Sequence, residues 1–255
     1  MIFYFSATGN SLYAANHLAD ENESVISIKQ AIKEKNYEFS VPNGEKVGFV
    51  FPTYFYGIPN IIIDFLSKLK LEFNGSKYIY LVLTCGAITA NAAEIFEKQL
   101  IKSKNSLSAK YSVKMVDTYV PLFKIDDLQK QNEILLNADK QLRFIKIKID
   151  KKAEGNFEGK NKGPLPALVT AAAYPLYKNG RKTKKFEVTN DCIGCGLCEN
   201  ICPADAIKIK NNKPVWIKGT CTLCLGCLHR CPQKAIQYGK KSKTNGRYVN
   251  PRVKL

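Results

Sequence analysis

Eight of the nine cysteines fall between residues 192 and 231, in two runs of one pattern. Cys192, Cys195, Cys198 and Cys202, the last followed by Pro203, spell C-x2-C-x2-C-x3-C-P. Cys221, Cys224, Cys227 and Cys231, followed by Pro232, repeat it. Ala206-Ile207 and Ala235-Ile236 keep the same offset, so a whole unit is duplicated. In a C-x2-C-x2-C turn three thiolates converge on one iron–sulfur cubane, and the fourth cysteine, three residues on and before a proline, points elsewhere. Zinc sites use paired C-x2-4-C arms instead, and disulfides at this density do not suit a reducing compartment. His229, between two of these cysteines, is expected to face solvent or cap rather than ligate, and Trp216 to sit in a core.

Three further segments carry chemistry of a different kind. Ser6, Ala7, Thr8, Gly9, Asn10 and Ser11 combine hydroxyls, an amide and a glycine without a cation, at the start of a helix. Free N–H groups and the helix dipole there attract an anion, and Gly9 admits close backbone approach. The run is neither G-x-x-x-x-G-K-[ST] nor G-x-G-x-x-G, which disfavours a nucleotide-triphosphate site. The plainer reading of the same residues is a Ser/Asn helix cap. Pro52, Thr53, Tyr54, Phe55, Tyr56 and Gly57 place three aromatics in a loop, where they need a packing partner such as a planar ring or a core beneath them. Thr84, Cys85, Gly86 and Ala87 give backbone N–H groups access to a ligand edge. Cys85 reads as a small buried residue rather than a nucleophile, since no acid or histidine adjoins it in sequence.

These loops follow the strands of an alternating pattern. Residues 1–5, 25–28, 46–51, 78–83 and 109–117 read as strands, and 12–19, 58–69, 90–101 and 125–149 as helices. Such alternation predicts a five-stranded, doubly wound parallel sheet, with ligands at the carboxyl ends of its strands. Residues 151–163 are charged and glycine-rich, as in an exposed loop. Residues 164–177 predict a short apolar helix, stopped near Pro175 and packed between two bodies. Lys178, Arg181, Lys182, Lys184 and Lys185 follow it, so peripheral membrane contact is the alternative role. No apolar run reaches the length of a membrane span, and residues 1–5 lack the flanks of a signal peptide, so a cytoplasmic location is expected.

Together the three loops fit a monophosphate bearing a planar ring. The 6–11 segment is similar to the phosphate loop of flavodoxins, which bind FMN, and the other two look like that fold's ring-binding loops. The usual flanking tryptophan is absent, leaving Tyr54 or Tyr56 to serve. The cysteine runs closely resemble those of two-cluster bacterial ferredoxins, a small α+β fold. That resemblance implies one 4Fe-4S cluster on Cys192, Cys195, Cys198 and Cys231, and a second on Cys221, Cys224, Cys227 and Cys202. The chain as a whole resembles flavodoxin–ferredoxin fusions: a flavodoxin-like α/β domain at 1–150, a connector at 151–185, a ferredoxin domain at 186–239 and a basic tail at 240–255.

Charge divides along the same line. The 255 residues carry a formal +17, but residues 1–150 hold 18 basic and 16 acidic side chains and residues 151–255 hold 21 and 6. A basic surface beside redox centres should steer acidic redox proteins. Nucleic acid is disfavoured, because Tyr248 is the lone aromatic of the tail and lysine far outnumbers arginine. The expected function is intracellular electron transfer between FMN, the two clusters and a redox partner protein. The alternative is a flavin-dependent oxidoreductase fed by the clusters, for which none of the three loops supplies a histidine or carboxylate.

Overall fold

Apolar runs too short for helices become the central strands of a parallel sheet in the computed structural model, which describes residues 1–125, 127–158 and 165–255. The first elements are β1 (Ile2–Tyr4), α1 (Asn10–Leu18), β2 (Val25–Ser27), α2 (Ile28–Glu34), β3 (Glu38–Val41), β4 (Val47–Pro52) and α3 (Asn60–Leu66). There follow β5 (Lys70–Phe73), β6 (Ile79–Cys85), α4 (Ala92–Lys102), β7 (Ala109–Lys114), α5 (Leu128–Asp150) and β8 (Gly155–Asn156). The sheet order is β2-β1-β4-β6-β7-β8, and every pairing in it is parallel. The central strands alternate their side chains between two cores, as a sheet covered on both faces must. Phe3, Phe49, Phe51, Leu81 and Leu83 pack under α2, α3 and α4. Ile2, Val50, Tyr80 and Val82 pack under α1 and α5.

Two differences from the sequence expectation concern this sheet. The expected five strands are joined by a sixth, the two-residue β8, which pairs with Ala109 and Lys110 from within the segment expected to be an exposed loop. The last expected strand ends at Lys114, not residue 117, so its final residues are free to form a loop. A separate parallel pair, β3 with β5, lies outside the main sheet, in two segments to which the sequence reading assigns no element. Residues 159–164 of the expected connector, and Asp126 at the expected start of α5, lie outside the described residues.

The remaining elements are α6 (Leu165–Gly180), β9 (Phe186–Val188), α7 (Leu197–Asn200), β10 (Ile207–Lys210), β11 (Lys213–Trp216), α8 (Gly226–His229) and β12 (Ile236–Tyr238). Helix α6 does not stop at Pro175 but runs through it. An interior proline costs about 3 kcal/mol in a free helix. Here three side chains of one face are fastened elsewhere and offset that cost. Thr170 donates to the Tyr56 carbonyl (2.8 Å) and Tyr174 to the Ile58 carbonyl (2.7 Å). The Tyr177 hydroxyl lies 2.9 Å from Asn60 Oδ1 and 3.0 Å from the Thr222 carbonyl. Beyond α6, β10 and β11 form a hairpin, with Asn211 and Asn212 left-handed at its turn, and β9 pairs with β12. A third core joins Tyr174 and Tyr177 of α6 to Val116, Val120 and Ile125 after β7, and to Leu223, Leu225 and Leu228 of the second cysteine run.

Candidate functional site

The two cysteine runs fold alike, and the fourth cysteine of each lines the pocket of the other. Each closes on a one-turn helix, α7 or α8. Cys192, Cys195 and Cys198 line one small pocket together with Cys231 of the other run. Cys221, Cys224 and Cys227 line a second together with Cys202. The two groupings coincide with the two ligand sets implied by the resemblance. Backbone N–H groups point at sulfur in matching positions: Ala206 N donates to Cys202 Sγ and Ala235 N to Cys231 Sγ, both at 3.3 Å. Burial pushes the Cys198 and Cys221 thiols up to about 11 and Cys224 up to about 12. Bare thiolates there are disfavoured. A bound iron cluster supplies the positive charge that holds such sulfurs deprotonated, so the donor set fits one.

The repeats differ where their turns need positive φ. Gly194 (φ 68°) and Gly196 (φ 75°) meet that need in the first run, while Leu223 (φ 52°) and Leu225 (φ 56°) stand at the same places in the second. A left-handed leucine costs about 1–2 kcal/mol. Both leucines are buried in the third core, and their apolar burial offsets that strain. The second run thus faces the first part of the chain: a Cβ on Gly226 would lie 3.5 Å from Ala7 Cβ.

That contact borders a cleft of about 240 Å³ at the carboxyl ends of β1, β4, β6 and β7. All three sequence-identified loops reach it. Of the sixteen residues singled out, Gly9 and Gly57 do not line it and the other fourteen do. The residue before α1 is Gly9, left-handed at φ 98°, and among the described residues no side chain caps the helix. The first-turn N–H groups of α1 therefore lack the capping partner that the bland reading of this loop requires. Ser6 Oγ accepts from Gly9 N (3.1 Å), and Ser11 Oγ meets Thr84 Oγ1 at 2.8 Å. Asn10 does something else. Its amide donates to the Val116 carbonyl (3.0 Å), and its Oδ1 accepts from Tyr248 and Asn250.

The aromatic loop is a tight turn. Tyr54 and Gly57 exchange both backbone hydrogen bonds, with Phe55 (φ 50°) and Tyr56 (φ 61°) left-handed between them. Non-glycine residues persist in such a turn only where surroundings enforce it. Phe55 packs edge-on to Tyr119 and stacks on Tyr177, and Tyr54 meets Tyr177 edge-on. A Cβ on Gly57 would sit 2.3 Å from the Tyr174 ring, so α6 is pressed against this turn. Thr53 Oγ1 is buried without a hydrogen-bond partner among the described residues. Cys85 is held as a thiol: burial pushes it up to about 12, with Glu158 and Asp117 adding to the effect.

Several cleft residues escaped the sequence reading. A fourth loop, after β7, brings Asp117, Tyr119, Leu122 and Phe123. Asp117 Oδ1 accepts from Tyr119 N (2.8 Å), and Oδ2 crowds the place a Gly86 Cβ would take. Burial pushes its carboxyl above the ordinary range, against two backbone N–H groups that lower it. A signal exists in the sequence: this loop leaves the same sheet edge as the other three, but Met115 and Val116 prolong the strand's apolar pattern. Leu223, Cys224 and Leu225 also line the cleft, so the second cysteine run forms one wall. His229 is buried, not solvent-facing. Its Nδ1 accepts from Tyr248 N (3.2 Å), leaving Nε2–H to donate to the Thr118 carbonyl (2.8 Å). Burial pushes it down to about 4, so it stays neutral. Trp216 stacks on Phe186 at 4.8 Å, beside the third core.

The comparisons bear on the cysteine runs. Residues 191–236 match the 4Fe-4S dicluster domain family. The "Ferredoxin-like protein in nif region" of Nostoc sp. (strain PCC 7120) is 41% identical over 49 residues, 19% of this chain and 42% of that one. One component of the ion-translocating oxidoreductase complex of Methanosarcina acetivorans is 46% identical over 46 residues, 18% of this chain and 17% of that one. The chain thus spans less than half the length of the curated relatives it matches. The Trp repressor binding protein from Bacillus subtilis aligns with 56% of this chain and 97% of its own at 14% identity, with a TM-score of 0.35, too low to carry an argument. Residues 191–236 thus form a ferredoxin-like 4Fe-4S dicluster domain. Among the described residues no helix is long and apolar enough to cross a membrane.

Proposed function

We propose that the chain is a flavodoxin–ferredoxin fusion that carries FMN in the cleft and passes electrons between it, two 4Fe-4S clusters and a redox partner protein. One observation carries this reading: the phosphate-type loop, the aromatic loop and Cys224 line the same cleft. In this reading Cys192, Cys195, Cys198 and Cys231 hold one cluster, and Cys202, Cys221, Cys224 and Cys227 the other. The order of the five longer strands, β2-β1-β4-β6-β7, supports the flavodoxin-like assignment, because such sheets bind ligands where the winding reverses, beside β1 and β4. Bound FMN supplies one- and two-electron chemistry, and each cubane supplies single electrons. The chain's own residues do the rest. The uncapped N–H groups of α1, with Ser6, Thr8 and Ser11, receive the phosphate. Tyr54 or Tyr56 would stand against the ring, and the 84–87 backbone would offer N–H groups to its polar edge. Leu223 and Leu225 exclude water between the cleft and the second cysteine run. Residues 151–185 act as connector, and the basic surface of the second half steers an acidic partner.

The test is anaerobic purification with iron, acid-labile sulfide and released flavin counted per chain. The expected result is about eight iron, eight sulfide and one FMN. Eight iron with no flavin, and none taken up from added FMN, refutes the reading of the first half.

A second reading, a flavin-dependent reductase, is favoured by Asp117. It brings into the cleft the carboxyl that the three expected loops lack. That reading predicts turnover of a small planar acceptor, lost in Asp117→Asn with flavin content intact.

A further inference from the structure

Residues 240–255 read in sequence as a basic tail. In the structure they cross back to the 6–11 loop. Arg247 fastens the segment to the cysteine unit, donating to the Leu228 carbonyl (3.1 Å), the Ile236 carbonyl (3.1 Å) and Gln237 Oε1 (2.8 Å). The next residue reaches the start of α1: the Tyr248 hydroxyl donates to Asn10 Oδ1 at 2.8 Å. Asn250 Nδ2 donates to the same oxygen at 3.1 Å, and Asn250 N to the Thr8 carbonyl at 2.7 Å. Tyr248 and Asn250 are both buried, and the Arg252 guanidinium pairs with Asp139 of α5. A Cβ on Gly9 would lie 2.9 Å from both Asn250 Cβ and Val253 Cγ1.

Asn10 is the first residue of α1, so whatever holds it aims the uncapped first-turn N–H groups. Both donors to its Oδ1 come from the far end of the chain. We propose that Tyr248 and Asn250 are positioning residues for a phosphate bound at the α1 N-terminus, and that they couple occupancy of the cleft to seating of the cysteine unit. The proposal rests on the FMN reading. Because Arg247 anchors one end of the strap in the dicluster domain and Asn250 the other in the loop, ordering either end favours the other. Such coupling is reciprocal: if a seated cysteine unit tightens phosphate binding, bound phosphate ligand steadies the cysteine unit by the same factor.

The experiment uses the full chain, loaded with clusters anaerobically and freed of flavin. It is titrated separately with FMN and with riboflavin, followed by quenching of flavin fluorescence. Tyr248→Phe keeps the ring and removes one hydrogen bond, and Asn250→Ala removes a second donor. Each weakens FMN binding about fivefold, the scale of one net hydrogen bond, and the pair about thirtyfold. Riboflavin lacks the phosphate, so its affinity stays at the wild-type value in both variants. FMN also slows iron release to a chelator in the wild type, and this protection shrinks in the variants. Unchanged FMN affinity, or equal losses for the two flavins, overturns the strap as a phosphate-positioning device while leaving the FMN reading standing. Failure of the wild type to bind either flavin overturns both.

Discussion

Replacing Leu225 with glycine restores the symmetry of the two cysteine runs, since Gly196 holds the matching place. From the repeat alone the change is harmless or helpful, because φ at this position is 56°. The structure predicts the opposite. Leu225 is 3% exposed and packs in the core shared with Tyr177 and Val116. Truncating such a leucine to alanine costs about 3–4 kcal/mol including the cavity left behind. Removing the last methyl adds about 0.8 kcal/mol. Relief of the left-handed strain returns about 1–2 kcal/mol. The net is a loss of about 2–4 kcal/mol, so burial wins over backbone strain. Gly196→Ala is the control: a Cβ there meets nothing within 4 Å, so only the backbone penalty of about 1–2 kcal/mol applies. Unfolding of a cluster protein is not a reversible two-state process, so the measurement is kinetic. Iron release to a chelator in moderate urea, followed by loss of visible absorbance, reports it. Where the contact is absent from the transition state, Leu225→Gly speeds release about 30- to 900-fold. A rate at or below wild type refutes the claim that this side chain seals the second run against the sheet.

The other predictions follow the same contacts. Tyr177→Phe strands Asn60 N and the Thr222 carbonyl and lowers stability by about 2–3 kcal/mol, read as a fall in the thermal midpoint of the loaded protein. Gly9→Ala imposes both a left-handed alanine and a clash with Asn250 and Val253; limited proteolysis then cleaves the C-terminal segment, which resists in the wild type. With its thiol at about 12, Cys85 is in the thiolate form in only about one molecule in 10⁴ at pH 8, so iodoacetamide leaves it unlabelled in the native protein and modifies it after unfolding, as mass spectrometry resolves. Raising ionic strength slows electron delivery to an acidic acceptor protein but leaves dithionite reduction unchanged, if the basic half steers docking.

Sequence alone determined the parts whose chemistry is local. The spacing of Cys192 to Cys202 and its repeat at Cys221 to Cys231 named iron–sulfur chemistry, because a cubane accepts only certain loop lengths between thiolates. Alternating apolar runs determined a parallel sheet, because a strand buried on both faces leaves no other pattern. The 6–11 loop declared itself as a helix start but not as capped or open; that needed the left-handed Gly9 and the absence of a capping side chain among the described residues. Only tertiary structure decided what lies next to what. That Pro175 continues a helix depends on three side-chain hydrogen bonds to residues more than 40 positions away. That Leu225 replaces glycine is explained by a core built from three separated segments. Asp117 joined the cleft because β7 ends earlier than its apolar pattern suggests. Most of all, Tyr248 and Asn250 meet Asn10 across some 240 residues, a contact no local periodicity encodes. Spacing along the chain carries the chemistry of one turn, whereas the neighbours that orient and seal a site are set by how separate elements pack.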